Sequence, residues 1–231
     1  MSISSENILT VADFFCGAGG FSEGFYQAGF NIIFCLDNWK LAIKTHDLNH
    51  PECKSKCMNI LDITFDNKDD ENYIDNIVPD TDIIIGSPPC VSFSNSNKSG
   101  KADKTLGIQL IEQYLKIIMW KSFYKKKCKY WFMENVPNSL KFIKSTYSWN
   151  ELGLPEWKNL NNIDEEPKLT ISENNRSVLK ASDYGAPQDR KRGICGNYIK
   201  PIKHDKKITI KDILTELGNP LGTKKEKYKD I

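Results

Sequence analysis

Apolar positions along the chain follow two rhythms, unbroken short runs and helical stripes, that alternate from the N-terminus onward. "ILTVADFFCG" from Ile8, "FNIIFCLD" from Phe30 and "TDIIIG" from Thr81 are apolar runs closed by glycine or an acid, the pattern of buried strands. "CMNILDI" from Cys57 and "KYWFMENV" from Lys129 predict two more. Between them, "FSEGFYQAGF" has helical spacing closed by Gly29, "NWKLAIKTHDLNH" a helix stopped by Pro51, and "DDENYIDNIV" a short helix. Beyond Leu110, Ile111, Tyr114, Leu115 and Ile118 share one helical stripe. Strands alternating with helices imply right-handed crossovers: an α/β fold with a mostly parallel sheet covered by helices on both faces.

The rhythm dissolves over residues 146–175, which read as a polar surface insertion, and returns in "RSVLKASDYGAPQDRKRGICGNYI" around a turn-rich middle. After about residue 200 the chain is lysine-rich, with one short helical pattern, "IKDILTEL". The organisation expected is a catalytic unit over 1–200 and a linker, or the start of a further domain, over 201–231.

The chemistry follows the strand ends. Gly17, Gly19 and Gly20 come directly after the first strand, where they let the backbone turn tightly beside a ligand. Position 22 is serine, so this is not the full dinucleotide fingerprint. Asp37 ends the second strand, where an acid can accept ribose hydroxyls; Asn59 or Asp62, near the third, can accept an adenine amino proton. The three together suit an adenosine ligand without pyrophosphate, such as S-adenosylmethionine. At the fourth strand's end Pro88 and Pro89 hold Cys90, with Ser92 and Ser94 near in sequence. A nucleophilic thiol needs this combination of accessibility and fixed backbone. Cys16 and Cys35, in apolar runs, read instead as buried inert thiols. Glu134 ends the fifth strand, where burial would keep a carboxyl protonated as a general acid; a salt-bridged glutamate is the simpler alternative.

Composition narrows the class. Across 231 residues the hydrophobic fraction is 39% and the charged fraction 27%, with seven cysteines, an odd and scattered set that reads as reduced thiols of an intracellular protein. There is no signal-like N-terminus and no apolar run long enough for a bilayer, so no membrane partner is expected. The net charge of +2 does not mark a nucleic-acid binder. Local runs do more: Lys98, Lys101 and Lys104; "KSFYKKKCK" from Lys121; and Arg190, Lys191 and Arg192 can neutralise phosphates, or merely form solvated faces. His46, His50, Cys53 and Cys57 form H-x3-H-x2-C-x3-C, but Pro51 interrupts it; incidental soft residues are preferred and no metal is expected.

"DFFCGAGGF", "GSPPCVSFS", "FMENV" and "ASDYGAPQDRKR", in this order and spacing, resemble the blocks of DNA (cytosine-5-)-methyltransferases. The resemblance implies a Rossmann-like S-adenosylmethionine-dependent methyltransferase fold, S-adenosyl-L-methionine as cofactor and double-stranded DNA as partner. It makes Cys90 the nucleophile on carbon 6 of a flipped-out cytosine, Glu134 the partner of ring nitrogen 3, and Arg192 the residue on the base carbonyl, supported by Arg190 and Gln188. Phe15, Ala18 and Gly20 match the cofactor loop, Asp37 with Asn38 the ribose end, Pro89 and Leu106 the walls near the sulfonium, and Asn135 a structural position. Val91 stands where the family usually has glutamine. "ELGNPLG" from Glu216 has a Gly-Asn pair but lacks the helix of the family's last block. The expectation is therefore a catalytic portion that needs a second polypeptide for target recognition and a closing helix. A tRNA methyltransferase of the same family, or a catalytically weak nucleic-acid-binding subunit, are the alternatives.

Overall fold

A computed structural model of the chain describes residues 8–89, 104–157 and 165–217. The first half builds up as strands β1 (Thr10–Phe14), β2 (Asn31–Asp37), β3 (Lys54–Cys57), β4 (Ile83–Gly86) and β5 (Tyr130–Asn135), with helices α1 (Gly20–Gln27), α2 (Lys40–Asn49), α3 (Ile74–Ile77) and α4 (Thr105–Met119) between them. Strands β6 (Thr146–Ser148), β7 (Lys168–Thr170), β8 (Arg176–Lys180), β9 (Lys191–Gly196) and helix α5 (Ile210–Leu217) follow. A seven-stranded sheet runs β3-β2-β1-β4-β5-β9-β8. Its first five strands are parallel, whereas β9 pairs antiparallel with β5 and with β8.

Strand order reverses between β1 and β4, which is where an open α/β sheet leaves a crevice at its carboxyl edge. Alternate residues of the same strands feed two cores. Ala12, Phe14, Ile84 and Met133 face α3 and α4, and Val11, Ile83, Ile85 and Cys35 face α1 and α2. Continuous apolar sequence in β4 thus has a simple cause: both faces are covered. The stripe of α4 buries Ile111, Tyr114, Leu115 and Ile118, each contributing about 1.5–3 kcal/mol. Tyr114 also dictates a glycine. A methyl group on Gly86 would lie 2.6 Å from its ring.

Three sequence expectations need correction. The third strand lies at Lys54–Cys57, not over 57–63; β3 is an exposed edge strand, so its polar "KSKC" carries no apolar signal, and the apolar Ile60–Asp62 forms a 3-10 turn instead. The segment over 146–175 is not merely a surface insertion. β6 and β7 pair, and Tyr147, Trp149, Leu152, Leu169 and Ile171 join the core, Trp149 stacking on Trp120. Few, widely spaced apolar residues suffice there because each is large or fully enclosed.

The third correction concerns the lysine run. Lys121 is buried, with its Nζ 2.9 Å from Asp75, 3.1 Å from Asp80 and 2.6 Å from the Val78 carbonyl. Lys125 pairs with Asp75 and Lys129 with Asp82. Lys121 is thus a buried structural lysine, while Lys125 and Lys129 are engaged in ion pairs nearer the surface. Burial alone would raise the Asp75 carboxyl, but hydrogen bonds and charge from Lys121 and Lys125 hold it below its ordinary value. Lys121→Ala is expected to cost about 3 kcal/mol, the low end for breaking a buried pair, since both acids keep some contact with solvent. Urea unfolding checks this: the midpoint should fall with the slope unchanged, and a loss under about 1 kcal/mol would mean the cluster is effectively solvated.

Candidate functional site

The carboxyl ends of β1 to β4 enclose a cleft of about 140 Å³ lined by Phe15, Leu36, Asp37, Asn38, Met58, Asn59, Ile60, Ser87, Pro89 and Leu110. A larger depression of about 620 Å³, lined by Lys203, His204, Asp205, Lys206, Ile208 and Asp212, lies beyond β9 among exposed residues and away from these strand ends. The cleft at the topological switch is the one placed for chemistry.

Backbone geometry shapes its floor. Phe15 adopts φ +58°, a conformation rare for a side chain of its size, and Gly17 follows at +56°. The loop is held by Asp37: its Oδ2 accepts from the Gly17 N–H at 3.0 Å and its Oδ1 from the Trp39 N–H at 2.8 Å. A carboxylate has about four acceptor positions, so both oxygens keep capacity for further donors. Asn59 Oδ1 accepts from the Leu61 N–H at 3.1 Å, which pins it at the cleft edge. Of the sequence candidates, the structure brings Phe15, Asp37, Asn38, Asn59 and Pro89 into one lining. Gly17, Ala18, Gly19, Gly20 and Asp62 are outside that lining, although Gly17 contacts Asp37. Leu106 is 54% exposed on the first turn of α4, and Leu110, one turn later, forms the wall. Met58, Ile60 and Leu110 were missed in sequence because they look like ordinary core positions.

The second group lies beside this cleft. Ser87, a lining residue, donates from Oγ to Glu134 Oε2 at 2.5 Å, and Arg192 Nε lies 2.5 Å from Glu134 Oε1. Pairing explains the contact: Glu134 sits opposite Ile194, so Arg192, two residues along β9, is its diagonal neighbour on the same face. The Glu134 side chain is 23% exposed and ion-paired, which is the salt-bridged alternative and not a buried, unpaired carboxyl. Asn135 is buried and donates from Nδ2 to the Pro88 carbonyl at 2.9 Å, anchoring the segment that leads into Cys90. Arg190 and Gln188 are exposed, joined through the Arg190 N–H and the Gln188 carbonyl at 2.9 Å. Cys90, Val91, Ser92, Ser94, Lys98 and Lys101 lie outside the described residues. Among the described residues no helix is long and apolar enough to cross a membrane.

Comparison with known proteins adds to this geometry. The family described as C-5 cytosine-specific DNA methylase matches residues 9–230. The chain is 34% identical to the type II methyltransferase M.MthTI of Methanothermobacter thermautotrophicus over 221 residues, covering 92% of this chain and 58% of that protein. It is 32% identical to the type II methyltransferase M.XorII of Xanthomonas oryzae over 186 residues, 78% of this chain and 38% of the relative. The chain therefore spans well under two thirds of either. In fold it is similar to the crystal structure of an E. coli prophage protein assigned as a DNA modification methyltransferase, with TM-score 0.57, 24% identity, and 89% of this chain against 54% of that one covered.

Proposed function

This chain belongs to the C-5 cytosine-specific DNA methylase family, and from that premise we propose that it methylates carbon 5 of a flipped-out cytosine in DNA, using S-adenosylmethionine. The observation that carries the reading is the linked set Ser87, Glu134 and Arg192, set against a cleft whose Pro89 precedes Cys90 in the chain.

The cleft suits that cofactor. Phe15, Leu36, Met58, Ile60 and Leu110 are apolar walls for an adenine ring, Asp37 is an acceptor for a ribose diol, and Asn59 stands near the ring edge. Among the described residues no lysine or arginine lines it, which suits an adenosine without phosphates. When bound, S-adenosylmethionine supplies an electrophilic methyl group. The remaining steps belong to the chain. The target base leaves the duplex, because neither ring face is reachable within the stack. Cys90 thiolate attacks carbon 6, and electron density moves to carbon 5 and ring nitrogen 3. Arg192 shifts from Glu134 to the base carbonyl, and Glu134, released from the ion pair, takes up a proton from solvent and shares it with nitrogen 3. After methylation the carbon 5 proton passes to solvent, its C–H electrons re-form the carbon 5–carbon 6 double bond, Cys90 leaves as the thiolate, and nitrogen 3 returns its proton to Glu134.

Asp37→Ala is expected to weaken S-adenosylmethionine binding by about 1.5–3 kcal/mol, roughly 10- to 150-fold in Kd, the scale for losing hydrogen bonds to a charged group. Calorimetry on the purified chain measures it, and unchanged affinity would put the ribose elsewhere. Activity is tested by radiolabelled methyl transfer to duplex DNA and, in parallel, to tRNA. Both assays use the chain alone and with the product of the adjacent reading frame, the expected source of target recognition. Methylation of tRNA without methylation of DNA would overturn the substrate assignment.

A further inference from the structure

Behind the glycine loop, on the α1 and α2 face of the sheet, four soft side chains from separate elements converge. We infer that Cys16, Cys35 and His46, with Cys53 as fourth ligand, form a buried structural zinc site.

The first three offer ligand atoms that all lie within 4.8 Å of one another. Cys35 Sγ is 3.4 Å from His46 Nδ1, and Cys53 belongs to the same buried cluster as Cys16 and Cys35. With zinc–sulfur bonds of about 2.3 Å and zinc–nitrogen bonds of about 2.05 Å, a tetrahedral site has sulfur-to-nitrogen edges of about 3.5 Å and sulfur-to-sulfur edges of about 3.8 Å. Cys16, Cys35 and His46 need only small side-chain adjustments to reach those distances, and Cys53, from the same buried cluster, would complete the set. All four residues are buried.

The histidine is already oriented for the task. Its Nε2 lies 3.1 Å from Ser22 Oγ, and Ser22 donates its one hydroxyl proton to Asp13 Oδ2 at 2.6 Å. Ser22 therefore accepts from His46 Nε2–H, which leaves the Nδ1 lone pair aimed at Cys35. A metal-bound histidine is held in this way, its second nitrogen donating to a polar group that is itself anchored. Asp13 is fully buried, and its Oδ1 has no partner among the described residues. A nearby cation compensates such a group better than an apolar core does.

The H-x3-H-x2-C-x3-C run is thus the wrong grouping. Only His46 and Cys53 of that run take part; Cys57 is exposed, and His50 Nε2 faces Glu23 at 3.7 Å. The missing ligands come from the loop after β1 and from within β2, outside that run. Zinc uptake releases a proton from each thiol to solvent, leaves His46 neutral and moves no electrons between atoms. Four protein ligands leave no open position, so the ion is structural. Cys16 lies between Phe15 and Gly17, and Cys35 lies two residues before Asp37. The ion would therefore pin the cofactor loop from behind.

The full chain, expressed in zinc-supplemented medium and dialysed against a weak chelator, should hold about one zinc per chain by mass spectrometry. Cobalt exchange should give thiolate-to-cobalt charge-transfer bands and the visible bands of tetrahedral cobalt. Cys35→Ser and Cys16→Ser should lose both signals, while Cys57→Ser keeps them. Since the serine variants could misfold, the wild-type spectrum stands as an independent readout. A wild-type chain with no retained zinc and no such spectrum overturns the site. So does a Cys35→Ser chain that keeps both signals, or a Cys16 to Cys35 disulfide found in the native protein.

Discussion

Cys90→Ala is expected to lower methyl transfer by at least about 10,000-fold, a barrier increase on the order of 5 kcal/mol, while leaving cofactor affinity nearly unchanged. The asymmetry follows from the chemistry proposed. Carbon 5 of cytosine is a poor nucleophile until a thiolate adds at carbon 6, so without Cys90 the methyl acceptor is never generated. The cofactor cleft, by contrast, takes its polar contact from Asp37 and its walls from Phe15, Leu36 and Leu110. Two measurements separate the effects: single-turnover transfer of a radiolabelled methyl group, and calorimetry of S-adenosylmethionine binding. Duplex DNA carrying 5-fluorocytosine at the target should also trap the wild-type chain covalently, since fluorine cannot leave as a proton does. Turnover retained in the variant, or no adduct from an otherwise active preparation, would rule out the covalent mechanism.

Glu134→Gln is expected to slow methyl transfer by about 100- to 1,000-fold, the range for removing one preorganised group that meets charge developing in the transition state. Glutamine is nearly isosteric and can still accept from Ser87, so the fold should persist. What it loses is the charge that now holds Arg192 at 2.5 Å and the proton that Glu134 would bring to the base. Since the two residues act as one unit, Arg192→Ala should add little to Glu134→Gln in a double-mutant cycle. Independent, additive losses would indicate that the ion pair is structural and that the two side chains meet the base separately, or not at all. A rate within threefold of wild type would remove Glu134 from the chemistry.

By itself the sequence determined the type and order of nearly every element. Buried strands, amphipathic helices and glycine-closed turns are written in residue periodicity, a local property. It also named Asp37, Asn59 or Asp62, and Glu134 from their places at strand ends, and Pro89 and Arg192 through the family resemblance, before any contact was visible. Tertiary structure alone decided the partners. Arg192 reaches Glu134 because β9 runs antiparallel beside β5, in a register that makes them diagonal neighbours. Lys121, one lysine in a run that resembles a solvated face, is buried because α4 continues into the turn over Asp75 and Asp80. β3 was misplaced because an edge strand has no second covered face to make its sequence apolar. Cys16, Cys35 and His46 meet only after β1, β2 and α2 have packed, and no spacing along the chain encodes that meeting. Periodicity reports which face of an element is dry; the sheet order decides which other side chains share that dry space.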